Sequence, residues 1–187
     1  WSDFKTRTRD GRVLDTSWIN VPLSDGSNIG IGFDISQRKR AEEALRREQM
    51  MLARTEGIAH VGSWEWDVAT DTVTWSEELF RILQRDPREG APNFAEFAVF
   101  YPPDDMARKR HAVEAAVAEG TPYEMELRAI RKDGQIRVCA VSGAAEMTPG
   151  GRAVRLFGSF QDITGRKQAE EEKQKLTAQL IQAQKME

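Results

Sequence analysis

The sequence has one cysteine, Cys139, and only two histidines. A single thiol excludes an internal disulfide and any multi-thiolate metal site. No apolar run approaches the roughly 18 residues needed to cross a bilayer, and the N-terminus lacks the basic, apolar and small-residue segments of a signal peptide. The chain is therefore expected to be soluble and cytoplasmic, with no membrane contact of its own. Positive charge is not in excess: 27 Lys and Arg against 30 Asp and Glu leave a net charge of −3, which argues against a nucleic-acid partner. No Gly-rich phosphate cradle and no nucleophile triad is visible, so no enzymatic activity is expected of these residues themselves. What is present is ordinary for a globular protein, 40% hydrophobic and 30% charged over 187 residues, enough for one or two self-supporting cores.

The chain repeats itself. Arg9-Asp10-Gly11-Arg12-Val13 is followed by Gly30-Ile31-Gly32-Phe33-Asp34-Ile35-Ser36, then Arg38-Lys39 and Ala41-Glu42-Glu43. The same order returns as Lys132-Asp133-Gly134-Gln135-Ile136, then Gly158 through Asp162-Ile163-Thr164, then Arg166-Lys167 and Ala169-Glu170-Glu171. Asp-Gly supplies the positive φ of a tight hairpin, so each copy reads as strand, turn, strand, turn, strand and helix. Only the second copy is preceded by enough chain to complete a domain. The division expected is 1–36, the back half of one domain with Trp18 and Phe33 incompletely covered; 37–57, a linker helix; 58–164, a complete domain; and 165–187, an outgoing helix. The linker carries Ala41, Leu45 and Leu52, continued by Ala59; the outgoing helix carries Ala169, Leu176, Leu180 and Ala183. Stripes this narrow predict a parallel coiled coil and hence a homodimer, the bland alternative being a helix lying on its own domain.

Within the complete domain, Gly62 to Val68 and then Val73 with Trp75 predict two strands, with Trp64, Trp66 and Val68 on one face. Ser76 is the N-cap of a helix through Leu83 that Pro87 stops, and Asp104 or Asp105 is expected to cap a second helix with Met106, Val113 and Val117 on one stripe and Gly120 at its end. Helical turns are placed at Phe94, Phe97 and Phe100. Three strands follow, Tyr123 to Arg131, Gln135 to Met147 and Arg152 to Gln161. Two strands, several helices and three strands describe an α+β fold with an antiparallel sheet.

This order, with Gly62-Ser63-Trp64-Glu65-Trp66-Asp67, Trp75-Ser76, Pro103-Asp104-Asp105, Arg131-Lys132-Asp133-Gly134 and Asp162-Ile163-Thr164, resembles the PAS fold, and specifically the sensory PAS domains of bacterial sensor histidine kinases. The resemblance implies a five-stranded antiparallel sheet with helices on one face, flanked by coiled-coil-like helices. Residues 176–187 are similar to the stretch upstream of a kinase phosphoacceptor histidine, which implies a kinase domain further along the same chain and a response regulator beyond it. The family couples domain to output through Asp-Ile-Thr, so Asp162, Ile163, Thr164 and Arg166, and in the first copy Asp34, Ile35, Ser36 and Arg38, are the expected transmission residues, with Asp162 accepting junction N–H groups or pairing with Arg166. Pro102 stands where many relatives have histidine, and Val138-Cys139 replaces a common Trp-Val pair.

Ligand chemistry stays open. Phe80, Leu83, Phe94, Phe97, Met106, Val113, Met125, Leu127 and Phe157 are the candidate lining of a pocket, read first as core. His111 is about 200 degrees around its helix from Val113 and beside Arg108-Lys109-Arg110, so it should face water, which argues against haem ligation. His60 is an entrance residue to the first strand rather than a phosphoacceptor. The Asn-Cys-Arg-Phe helix of light-sensing flavin domains of the LOV type is missing, and Cys139 falls in a strand, where a lone thiol is a small core or surface group. Three readings compete: a relay module, a direct small-molecule or cofactor sensor, and a ligand-free dimerisation spacer.

Overall fold

The computed structural model describes residues 1–93 and 96–184, the last two as backbone alone. The chain divides into two compact units, Trp1–Leu52 and Ala53–Glu187. In the first, β1 (Ser2–Arg7), β2 (Val13–Pro22) and β3 (Asn28–Asp34) form an antiparallel sheet in that order. The Asp10-Gly11 turn has Gly11 at φ 87, the left-handed region that a side chain resists. Trp18 lies half-buried over Gly32, where a Cβ would stand 2.5 Å from the indole, and it stacks on Phe4 at 6.4 Å. Phe33 is 55% exposed. Helix α1 (Ser36–Ala59) follows directly.

The second unit runs β4 (Val61–Asp67), β5 (Thr72–Trp75), α2 (Glu77–Leu83), α3 (Pro103–Glu119), β6 (Tyr123–Ile130), β7 (Ile136–Met147), β8 (Ala153–Asp162) and α4 (Thr164–Gln184). Its five strands are antiparallel neighbours in the order β5-β4-β8-β7-β6. Ser76 caps α2 as expected, accepting the Leu79 N–H at 3.4 Å. The helix ends earlier than Pro87, because Gln84 turns left-handed at φ 54 and returns its N–H to the last carbonyls. Helix α3 departs from the expected cap: Pro102 occupies the N-cap position without a side-chain bond, and Asp104 and Asp105 lie in the first turn. Pro103 suits that start, since its missing N–H would have had no partner. Gly120 closes α3 at φ 72.

Alternation along the strands sends Trp64, Leu127, Val141, Leu156 and Phe160 to the face covered by α2 and α3, with Trp75, Leu79, Phe80, Leu83, Phe100 and Met106 between. Each fully buried aliphatic or Phe side chain contributes about 1.5–3 kcal/mol of transfer free energy. The opposite face, with Ser63, Glu65, Phe157 and Ser159, remains open.

Candidate functional site

The last strand hands over to α4 through a closed set of hydrogen bonds. Asp162 Oδ1 accepts the Thr164 N–H at 2.9 Å. Thr164 Oγ1 accepts the Val138 N–H at 2.9 Å and donates to the Val138 carbonyl at 3.4 Å. That carbonyl also accepts the Ile163 N–H at 2.9 Å, and Ile163 O accepts the Lys167 N–H at 3.0 Å. Ile163 and Thr164 are buried, so the junction is locked to β7 by groups that cannot easily turn to water.

The first copy builds the same lock. Asp34 Oδ1 accepts the Ser36 N–H at 2.9 Å, Ser36 Oγ accepts the Asp15 N–H at 2.9 Å, and the Ile35 N–H reaches the Asp15 carbonyl at 2.8 Å. Hydrogen bonds from the Ser36 side chain and amide hold Asp34 below the usual carboxylate range. The ion pairs differ from those expected. Asp162 Oδ2 faces Arg137 on β7 at 4.0 Å rather than Arg166, which is exposed; the register of the sheet supplies the partner, not the adjacent turn. Arg38 pairs with Glu42 at 3.9 Å, while Lys39 reaches Asp3 at 3.3 Å and Asp15 at 3.9 Å. On α4, Lys167 Nζ lies 2.7 Å from Glu126 of β6, a second tie between helix and sheet.

The way in lies beside the way out. Gln161 Nε2 donates to the Ala59 carbonyl at 3.2 Å, and Val61 pairs with Gln161 across β4 and β8. His60 bridges the two elements at φ 50, its Nδ1 3.3 Å from the buried Glu78, which also binds Arg81. A cleft of about 330 Å³ is bordered here by His60, Glu78, Arg131, Arg137, Asp162 and Thr164.

The expected pocket is mostly solid core. Phe80, Leu83, Met106 and Leu127 are buried against one another, and Met125 is half-buried beside them. Phe94 lies outside the described residues, as do Lys185 to Glu187 and the side chain of Ala183. Phe157 is a correction: it is 47% exposed, because its neighbour Leu156 takes the inward position and alternation turns Phe157 to the open face. Phe97 and Val113 do line a cavity, of about 30 Å³, with Trp64, Trp75, Lys109 and Tyr123. His111 is exposed, as expected. Cys139 is fully buried, and burial pushes its thiol up to about 12, which makes it inert.

Two charged side chains are buried in addition to Glu78. Lys109 lies within the basic run Arg108-Lys109-Arg110, yet it is 6% exposed, its Nζ 2.7 Å from the Tyr101 hydroxyl and over the rings of Phe97 and Tyr101. Its spacing from Met106 and Val113 was the available signal. Asp105 accepts from Arg128 Nε at 2.6 Å and from the Arg128 N–H at 3.1 Å. Burial opposes its charge, but those bonds and the Arg128 and Arg108 charges hold the carboxyl below its ordinary value.

A five-stranded antiparallel sheet covered by helices on one face, its last strand passing into a long helix through a bonded joint, defines an α+β domain class. The chain belongs to the PAS fold family, whose model matches residues 72–170, more than half its length. It is 27% identical over 179 residues to a blue-light-activated histidine kinase of Brucella anthropi, covering 96% of this chain and 35% of that protein. It is 26% identical over 140 residues to a probable diguanylate cyclase, DgcE, of Escherichia coli, covering 74% of this chain and 12% of that protein. The chain thus spans about a third or less of these relatives. Among solved structures, a sensory box histidine kinase/response regulator from Burkholderia thailandensis superposes with a TM-score of 0.57 at 25% identity, over 72% of this chain and 98% of that one. An N-terminal domain of a diguanylate cyclase with PAS/PAC sensor from Marinobacter aquaeolei shares the fold, with a TM-score of 0.52 at 17% identity, over 57% of this chain and 98% of that one. No helix among the described residues is long and apolar enough to cross a membrane.

Proposed function

We propose that this chain is the sensory and relay part of a cytoplasmic two-component sensor histidine kinase, passing its signal through Asp162-Ile163-Thr164 to a helix paired in a homodimer. The observation that carries the reading is the duplication of the lock: two copies of different surrounding sequence keep the same Asp, Ile and Ser/Thr bonds, each at the root of a long exposed helix. A joint with two alternative settings at that point biases whatever the helix controls. Leu45, Leu52, Leu176 and Leu180 are more than half exposed, and apolar groups along a helix call for a partner surface. A kinase output is favoured over a cyclase because the kinase relative aligns over 96% of this chain and the cyclase over 74%. Downstream, the reading requires a kinase domain in the same chain and a response regulator.

The test is Asp162→Asn in the full-length parent. One carboxylate acceptor is worth about 1 kcal/mol of stability, so melting should shift little while signal-dependent autophosphorylation becomes locked or unresponsive; exposed His111→Ala should leave both intact. An Asp162→Asn protein with normal signal response would reduce the junction to a helix cap. Light scattering should show the fragment as a dimer at about 100 μM, well above micromolar association; a monomer would remove the paired-helix part.

A further inference from the structure

The cleft beside the joint holds more positive charge than the joint uses. Arg131 follows β6 and stands opposite Gln135, its N–H bonded to the Gln135 carbonyl at 2.9 Å, while Ala129 stands opposite Arg137. Alternation therefore puts both arginines on the helix-covered face, as diagonal neighbours about 7–8 Å apart along the backbone and within reach of each other's long side chains. Both residues are half-buried. Both border the cleft of about 330 Å³, and polar atoms form much of its wall.

The carboxylates of the cleft do not balance this pair. Glu78 is already taken by Arg81 and His60. Asp162 gives one oxygen to the Thr164 N–H, and its other oxygen stands 4.0 Å from Arg137 Nε, too far for a hydrogen bond. Arg131 pairs with no carboxylate among the described residues, although its neighbour Lys132 reaches Glu89 at 2.7 Å. The Nε–H groups of Arg131 and Arg137 have no hydrogen-bond partner among the described residues either. Two half-buried guanidinium groups on one face repel each other, and an anion between them reverses the sign of that interaction. Guanidinium forks match the oxygens of a phosphoryl group. Such a group carries three or more strong acceptor oxygens, enough to face two forks that come from different strands.

We infer that this cleft is a binding site for a small phosphate, free or carried as a monoester, held between Arg131 and Arg137. Entry is from the side of His60 and Arg81, which are exposed. The volume reaches the lower end of small-molecule pockets, about 300 Å³, and so leaves room for the carbon part of an ester. Arg137 is shared between the ligand and Asp162, so occupancy draws its charge away from the carboxylate that holds the Thr164 N–H. That consequence for output rests on the relay reading; binding is a property of this chain and is tested without an output domain.

The experiment titrates the folded, nitrogen-15-labelled chain at low salt with glycerol 3-phosphate, inorganic phosphate and glycerol in separate arms. The Nε–H signals of Arg131 and Arg137 and the Thr164 amide should shift together and saturate, with a dissociation constant of about 1 mM or tighter for at least one of the two phosphates, as two charge-assisted bonds allow. Glycerol should move none of them. Tighter binding of glycerol 3-phosphate than of inorganic phosphate assigns the site to a monoester, and equal binding assigns it to the free ion. Arg131→Gln, which breaks no ion pair of the fold, should melt normally and weaken binding about 10-fold or more; Arg137→Gln should weaken it similarly. Lys132→Gln, outside the cleft, should bind as wild type does. Shifts that never saturate and spread over exposed cations would overturn the proposal, as would a folded Arg131→Gln protein with undiminished affinity, and the two arginines would then be a solvated rim.

Discussion

Thr164 is the residue at which the joint between β8 and α4 can be taken apart with least collateral damage. Its hydroxyl is the acceptor for the Val138 N–H at 2.9 Å, and only 9% of the residue is exposed. Thr164→Val keeps the shape of the side chain and deletes that acceptor. The Val138 carbonyl keeps its bond from Ile163, so the orphan is a single backbone donor. A donor left unsatisfied costs about 1–3 kcal/mol, which for a domain of this size moves a urea midpoint by about 1 M. Thr164→Ser retains the hydroxyl and loses one methyl group, about 0.8 kcal/mol; serine already serves in the matching place as Ser36. Amide hydrogen exchange separates the two mechanisms, because protection of the Val138 N–H should fall in the valine variant and persist in the serine variant. A valine variant within about 0.5 kcal/mol of wild type, with the Val138 amide equally protected, would refute the claim that this bond locks the helix to the sheet.

Two further outcomes follow from the geometry of the second unit. Asp105→Asn should cost about 2 kcal/mol at neutral pH, since the carboxylate serves the Arg128 side chain and amide together. Because its folded-state pKa is lowered, that contribution is fully present above the unfolded value of about 3.9 and fades as pH falls through the folded one, so urea midpoints of variant and wild type should converge in acid. A gap that persisted there would count against the ion pair. Gly62→Ala should destabilise by about 1–3 kcal/mol in thermal melts, because the new Cβ would stand 2.6 Å from Leu79 Cβ and 2.7 Å from Leu79 backbone atoms that cannot yield; an unchanged melting temperature would mean that α2 is looser on β4 than the contact implies.

Local chemistry was readable in the sequence wherever neighbours in the chain decide the outcome. The Asp-Gly turns, the Ser76 cap, the Gly120 stop and the repeated Asp-Ile-Ser/Thr element all depend on residues within a few positions of one another. The structure departs where partners come from elsewhere. Asp105 finds Arg128 across 23 residues, and Asp162 finds Arg137 through strand register instead of Arg166 through proximity. Phe157 shows how sharp strand alternation is, since Leu156 beside it is fully buried. Lys109 shows period overriding charge: the run Arg108-Lys109-Arg110 looks like a solvated patch, yet the helix turns its middle member inward with Met106 and Val113. Long stems make such burial feasible, and the rings of Phe97 and Tyr101 receive the ammonium end.

The bond from Gln161 to the Ala59 carbonyl places the arrival of the chain and its departure at adjoining strand ends. A module with a single doorway can be spliced into a continuous helical rod, or cut out of one, without relocating the parts on either side. Duplication of such a unit costs a sensor little rearrangement, and the repeated Asp-Ile-Ser/Thr signature in this chain has the form that serial insertion would leave behind.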